Sequence, residues 1–133
     1  YFNKSSQSMK IEICSWDDVK FIPETYNTEY ATFTKRKKQE VWFKATSEGQ
    51  IVGCGCLLIM SKSSVRLSNI FVIPSHRGRG IAQELVKGRE LWAKAQGFKT
   101  IDTRTVKRYY LNHGYKEIKQ YKVGGSWFRK ELL

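Results

Sequence analysis

Residues 72–82 read Val72-Ile73-Pro74-Ser75-His76-Arg77-Gly78-Arg79-Gly80-Ile81-Ala82, and the hydrophobic period of the chain changes across them. Before Pro74 the apolar residues alternate or run together, as strands do. From Ile81 to about Gln96 they recur at helical spacing, with Ile81, Leu85 and Trp92 on one face and Ala82, Val86 and Ala93 beside it. Gly78 and Gly80 let the backbone turn tightly and approach a ligand, and Gly97 is placed to cap the helix. The first N–H groups of a helix have no intrahelical acceptor, and the helix dipole favours negative charge there. A strand, a glycine turn and a helix start flanked by Arg77 and Arg79 therefore predict a pyrophosphate pocket built from backbone amides and two forked cations. The stretch is not a P-loop, because no Gly-Lys-Ser/Thr follows. It is not a dinucleotide fingerprint either, because the glycine spacing differs and no acid follows on a second strand. Read alone, it also suits a plain glycine turn with exposed arginines.

Working outward, Lys10–Cys14 suits a first strand, and Ser15-Trp16-Asp17-Asp18 a capped helix start that Pro23 should break or restart. Tyr26, Tyr30 and Phe33 form one aromatic face of a second short helix, next to the cationic run Lys35-Arg36-Lys37-Lys38. Val41–Thr46, Ile51–Met60 and Val65–Ile73 are β-rich and joined by short polar turns, which predicts an antiparallel meander. Beyond Gly97, Thr100–Thr103 reads as a strand, Val106–Asn112 as a short helix capped by Gly114, and Tyr115–Tyr121 with Ser126–Leu132 as a hairpin around Gly124-Gly125.

A length of 133 residues is one domain's worth, and 41% hydrophobic with 14% aromatic residues excludes a disordered tail. The longest apolar runs fall far short of the roughly 20 residues of a membrane span. Three cysteines argue against a secreted disulfide scaffold and for a reducing, cytoplasmic setting. Lys+Arg 24 against Asp+Glu 12 gives +12, which favours anionic partners such as nucleic acid or a phosphorylated cofactor; a generically basic surface is the plainer reading. Residues 1–8 (YFNKSSQS) are polar and precede Met9. They read as a leader, disordered or left by expression, before a single domain over residues 9–133.

A second motif makes the junction specific. Tyr109-Tyr110-Leu111-Asn112-His113-Gly114-Tyr115 follows a Val-x-Pro strand end (Val72, Pro74) and the pattern Arg-x-x-Gly-x-Ala met by Arg77, Gly80 and Ala82. Together these segments resemble the two signature stretches of the GNAT superfamily, the acetyl-CoA-dependent N-acetyltransferases, and the element order is similar from Met9 onward. The resemblance implies a mixed α/β (α+β) fold: a mostly antiparallel central sheet of about seven strands, splayed in the middle and flanked by about four helices. It implies acetyl-CoA as cosubstrate and an amine as acceptor. The loop Arg77, Gly78, Arg79, Gly80, Ile81 and Ala82 would hold the diphosphate, and main-chain groups of Ile70, Phe71 and Val72, on a bulged strand, would pair with pantetheine. Tyr110 would be the general acid that protonates the leaving thiolate. Tyr109 competes for that role, although the spacing favours Tyr110. A strand amide near Phe71 suits the oxyanion.

The acceptor side is thinner. The Val65–Ile73 strand has Ser68 and Asn69 where the family often carries an acid. Glu24, Glu29, Asp102 or a water chain are the candidate bases, and Glu24, Glu29, Tyr30, Ser68 and Asn69 the candidates for acceptor contact. Lys107 and Arg108 would meet the cofactor's phosphates or an anionic acceptor. Cys54 and Cys56 share a strand face and, with only His76 and His113 available, read as core rather than as ligands, so no metal is expected. Three functions compete: acetylation of a small or peptidic amine, acetylation of an amine carried on nucleic acid, and acyl-CoA binding without catalysis. A homodimer is also expected, with the Ser126–Leu132 strand and its Trp127 and Phe128 pairing across the interface.

Overall fold

Strands form where β-branched and aromatic residues alternate, and their order sets the site. In the computed structural model, which describes residues 9–26 and 39–132, β1 (Met9–Cys14) is followed by two short helices, α1 (Trp16–Val19) and α2 (Phe21–Tyr26). Ser15 caps α1 reciprocally with Asp18. Pro23 does not break a helix. The break falls at Lys20, and Pro23 sits in the first turn of α2, where its missing N–H is not needed. Most of the expected aromatic stripe (Tyr30, Phe33), Glu29 and the run Lys35–Lys38 lie outside the described residues.

The meander β2 (Glu40–Ser47), β3 (Gln50–Ile59) and β4 (Ser64–Val72) is antiparallel as expected, and the 15-residue α3 (Ile81–Ala95) then crosses the sheet. β5 (Thr100–Thr105) lies parallel to β4, and the hairpin of β6 (Lys116–Gln120) and β7 (Ser126–Glu131) completes a seven-stranded sheet of order β1-β2-β3-β4-β5-β7-β6. β7 lies between β5 and β6, so both its edges are occupied and the strand pairing expected across a dimer interface is not open to it. The expected helix over Val106–Asn112 is instead a six-residue 3-10 turn, Arg108–His113, closed by Gly114 at φ +89°. Tight i→i+3 turns of this kind commonly serve as connectors between longer elements. No helix among the described residues is long and apolar enough to cross a membrane.

Two features open the sheet. β4 and β5 pair only through Ser64–Arg66 and Thr100–Asp102, and further along they share no register. On its other side β4 carries a bulge: Ile70 faces Gly55 and Ser68 faces Cys56, leaving Asn69 as the extra residue at φ +34°. Beneath the bulge lies Arg89 of α3, 1% exposed. Its Nε donates to the Leu85 carbonyl (3.1 Å), and its Nη1 to the carbonyls of Cys56 (2.8 Å) and Ser68 (3.1 Å). A Cβ on Gly55 would stand 3.0 Å from the guanidinium carbon, so the glycine makes room for this buried cation. Burial holds the Arg89 pKa below the ordinary arginine value, against the pull of Tyr110 and Cys56. The remaining core, including Val52, Leu57, Val65, Leu85, Ile101 and Phe128, is apolar.

Candidate active site

Gly78 and Gly80 adopt φ +79° and +81°, a region that side chains rarely occupy, and a Cβ on either would meet nothing within 4 Å. The loop needs glycine for its backbone path, and the space in front of both residues is open. Gly80 is the N-cap of α3 and has no side chain to cap it. The first bond inside the helix runs from Glu84 N–H to the Gly80 carbonyl (3.1 Å), so the N–H groups of Ile81, Ala82 and Gln83 have no acceptor within the helix. Three such N–H groups at the positive end of a 15-residue helix suit a diphosphate.

A cavity of about 460 Å³ lies in front of them, within the size range of small-molecule sites. Eight of the nine residues expected to hold the cosubstrate line it: Ile70, Phe71, Val72, Arg77, Gly78, Gly80, Ile81 and Ala82. His76, Gln83 and Lys107 also line it, whereas Arg79 is exposed on the loop and does not. Arg77 is turned back onto β4. Its Nε donates to the Val72 carbonyl (2.8 Å), and its guanidinium lies 5.1 Å from the Phe71 ring centre, so it fastens the loop to the strand end. Strand parity decides which groups face the gap. Ile73 N–H bonds the Val52 carbonyl (2.9 Å), which makes Phe71 a hydrogen-bonded partner of Cys54. The main-chain groups of Ile70 and Val72 therefore point away from β3, toward the unpaired edge.

A second cavity of about 380 Å³ shares Ile70 and Lys107 with the first and reaches Ser68, Asn69, Arg89 and Tyr110. Tyr110 is 8% exposed, its ring held 4.3 Å from Tyr109, 5.1 Å from Tyr115 and 6.2 Å from Phe128. His113 bonds the Tyr109 carbonyl through Nδ1 (3.0 Å) and braces the same turn. Of the acceptor-side candidates, Ser68 and Asn69 reach this cavity. Glu24 is exposed on α2 and lines neither, and Glu29 and Tyr30 lie outside the described residues. Asp102 is engaged by Arg129, accepting from Nε (2.8 Å) and Nη2 (3.2 Å). Sequence reasoning missed Arg89. Its only signal is its place on the stripe of Ile81, Leu85 and Ala93. Among the described residues no group of three or more His, Cys, Asp or Glu is arranged to hold a metal ion.

Three thiols and two phenols, those of Cys14, Cys54, Cys56, Tyr109 and Tyr115, have their pKa raised. Burial is the first cause in each case. It pushes the Cys14 thiol to about 11 and the Cys56 thiol to about 12, and raises Cys54, Tyr109 and Tyr115; Glu90, which accepts from the Tyr115 hydroxyl, raises Tyr115 further. In the unfolded chain these groups ionise from their ordinary values, 9.0 for the thiols and 10.0 for the phenols. Their contribution to stability is complete below those values and lost as pH rises above them. The midpoint of urea unfolding should fall between pH 9 and 11, as the unfolding free energy drops by about 1.4 kcal/mol per pH unit for each deeply buried group above its ordinary value, 9.0 for Cys54 and Cys56 and 10.0 for Tyr115. A midpoint flat across that range contradicts the burial.

A family model described as an acetyltransferase (GNAT) domain matches residues 38–117. A sequence search of curated proteins finds no match. Among solved structures, the fold is similar to that of an IAA acetyltransferase from Bacillus cereus, at TM-score 0.73 and 16% identity, covering 93% of this chain and 99% of that one. It is similar to a GNAT family acetyltransferase from Elizabethkingia anophelis with acetyl-CoA bound, at TM-score 0.66 and 16% identity over 93% and 98% of the chains. The ribosomal-protein-S18-alanine N-acetyltransferase of Escherichia coli follows at TM-score 0.68 and 15% identity, over 93% and 94%. At these identities the likeness speaks for the fold.

Proposed function

The chain belongs to the GNAT acetyltransferase family, and on that premise we propose that it moves an acetyl group from acetyl-CoA to a primary amine by direct attack, with both substrates bound at once. The observation that carries this reading is a continuous path: the glycine cradle opens onto the unpaired edge of β4, and that edge leads to Tyr110. The N–H groups of Ile81, Ala82 and Gln83 hold the diphosphate, with Gly78 and Gly80 leaving it room. Ile70 and Val72 pair with the pantetheine arm as an added strand would. Bound there, acetyl-CoA supplies an acyl group activated as a thioester. An edge N–H of β4 beside Phe71 polarises the acyl carbonyl. Tyr110 holds a proton on its hydroxyl oxygen at the cavity wall and delivers it to the departing sulfur. Alignment of amine and carbonyl in the gap supplies much of the remaining acceleration.

A second acceptor class, an amine carried on nucleic acid, is favoured by Arg79, Arg104 and Lys107, which are exposed beside the two cavities. The primary test is release of free thiol from acetyl-CoA across small amines, peptides and charged tRNA. The expected result is amine-dependent release that saturates in both substrates. Acetyl-CoA binding with no release on any amine would leave a binding module instead.

A further inference from the structure

We propose that the acceptor amine carries an anionic group, a carboxylate or a phosphate, which Arg66 and Arg104 hold on the sheet face opposite α3. This rests on the reading of the chain as an amine acetyltransferase and names the class of its acceptor. The faces follow from register. Lys130 pairs with Ile101 and bonds Glu90 of α3 (3.2 Å), so Ile101 faces the helix. Asp102, its neighbour on β5, faces away, as does Arg66, which stands opposite Asp102. Arg104, two residues further, shares that face, and so does Trp127, its partner on β7.

Around the smaller cavity this face is rich in donors and, among the described residues, carries no carboxylate. Arg66 Nε and Trp127 Nε1 are buried with no hydrogen-bond partner among the described residues. Arg104 is held by its Nη2 bond to the Val123 carbonyl (3.2 Å) and by stacking over Tyr121, 3.9 Å from the ring centre. Among the carboxylates on the same face, Asp102 is taken by Arg129 through both oxygens, Glu40 lies two strands from Arg66 beside the Cys56 thiol (3.8 Å), and Glu131 is exposed opposite Thr100 at the far end of β7. Arg66, Arg104 and Lys107 line the smaller cavity together with the buried Arg89, and no carboxylate joins them among the described residues. Lys107 also lines the diphosphate cavity, but Arg66 and Arg104 do not, so the cosubstrate's phosphates leave them free. Buried donors beside guanidinium groups complement a group that only accepts, which is the chemistry of a carboxylate or phosphate. The same positive field disfavours the ammonium form of the acceptor, so the amine is neutral at the carbonyl without a carboxylate base on β4. A polyamine is excluded by that field.

The test is calorimetric titration of the coenzyme A complex with matched amines: O-phosphoethanolamine against ethanolamine, alanine against alaninamide, and spermidine alone. The anionic member of at least one pair should bind about tenfold or more tighter, and the two pairs tell phosphate from carboxylate. Arg66→Gln and Arg104→Gln should each remove most of that preference. Lys87→Gln, an equal loss of charge on an exposed part of α3, should keep it. Equal binding within both pairs, tighter binding of the neutral amines or spermidine, or preference retained in both arginine variants overturns the proposal. So does tight binding of a short duplex oligonucleotide, weakened by the arginine variants, with no binding of the small anions. Anion-selective binding without thiol release from acetyl-CoA would sink the transfer reading and leave the anionic site standing. Equal thiol release with both members of each pair would do the reverse.

Discussion

Replacing Tyr110 by phenylalanine should lower kcat by about two orders of magnitude and leave acetyl-CoA affinity within about threefold, the usual scale for removing a positioned general acid. The substitution takes away one hydroxyl and keeps the ring, which is what packs against Tyr109, Tyr115 and Phe128. Stability should therefore change by about 1 kcal/mol, the scale of the one hydrogen bond lost between the Tyr109 and Tyr110 hydroxyls. The effect should fall on kcat and kcat/KM together, as expected for an interaction made only in the transition state. Tyr109→Phe is the control. It removes the hydrogen bond from the Tyr109 hydroxyl to Tyr110, but Tyr109 lines neither cavity, and turnover should stay within about threefold of the parent. Thiol-release kinetics on both variants decide between the two tyrosines: full turnover in Tyr110→Phe removes the role, and a large loss in Tyr109→Phe transfers it.

That pair of tyrosines shows where sequence was sufficient and where it was not. The spacing from Tyr110 to Gly114 could be read directly, and so could the junction at residues 72–82, because a change of hydrophobic period and two glycines survive any tertiary context. A cavity lies in front of that junction. In sequence Arg77 and Arg79 are alike as phosphate forks, but one is fastened to the Val72 carbonyl and the other is exposed on the loop. Nothing local tells which carbonyl a strand end leaves free. The parity that turns Ile70 and Val72 toward the gap was hidden for a related reason. The bulge at Asn69 shifts the alternation, and an asparagine at φ +34°, although its type tolerates positive φ, is too common in strands and turns alike to mark a bulge. Arg89 was illegible because residue type and position disagree. An arginine on a helix is ordinarily placed at the surface, and only the carbonyls of Cys56 and Ser68, 33 and 21 residues away in sequence, make its burial tolerable. The gap itself depends on such long-range facts. β5 leaves β4 after three paired residues, although its own sequence would allow a longer partnership.

Gly80→Asp should weaken acetyl-CoA binding by about a hundredfold or more, while the protein still folds. Two properties of the position combine. Its φ of +81° is one that aspartate and asparagine tolerate better than other side chains, so the backbone penalty is on the order of 1 kcal/mol. Its Cβ would enter open space, with nothing within 4 Å to collide with, so packing is not disturbed. The carboxylate would sit in front of the N–H groups of Ile81, Ala82 and Gln83, where the diphosphate is proposed to bind. A unit charge about 4 Å from a phosphate oxygen costs about 4 kcal/mol at an effective dielectric of 20, more than a hundredfold in affinity. Gly80→Asn separates charge from shape, since it has nearly the same volume and the same tolerance for positive φ but no charge. If the helix N-terminus is an anion cradle, the asparagine variant should lose about tenfold at most, and added salt should narrow the difference between the two variants. Melting temperatures of the apo variants should lie close together. Equal loss in both would mean that bulk matters there and charge does not; no loss in either would move the diphosphate elsewhere and take the proposed path to Tyr110 with it.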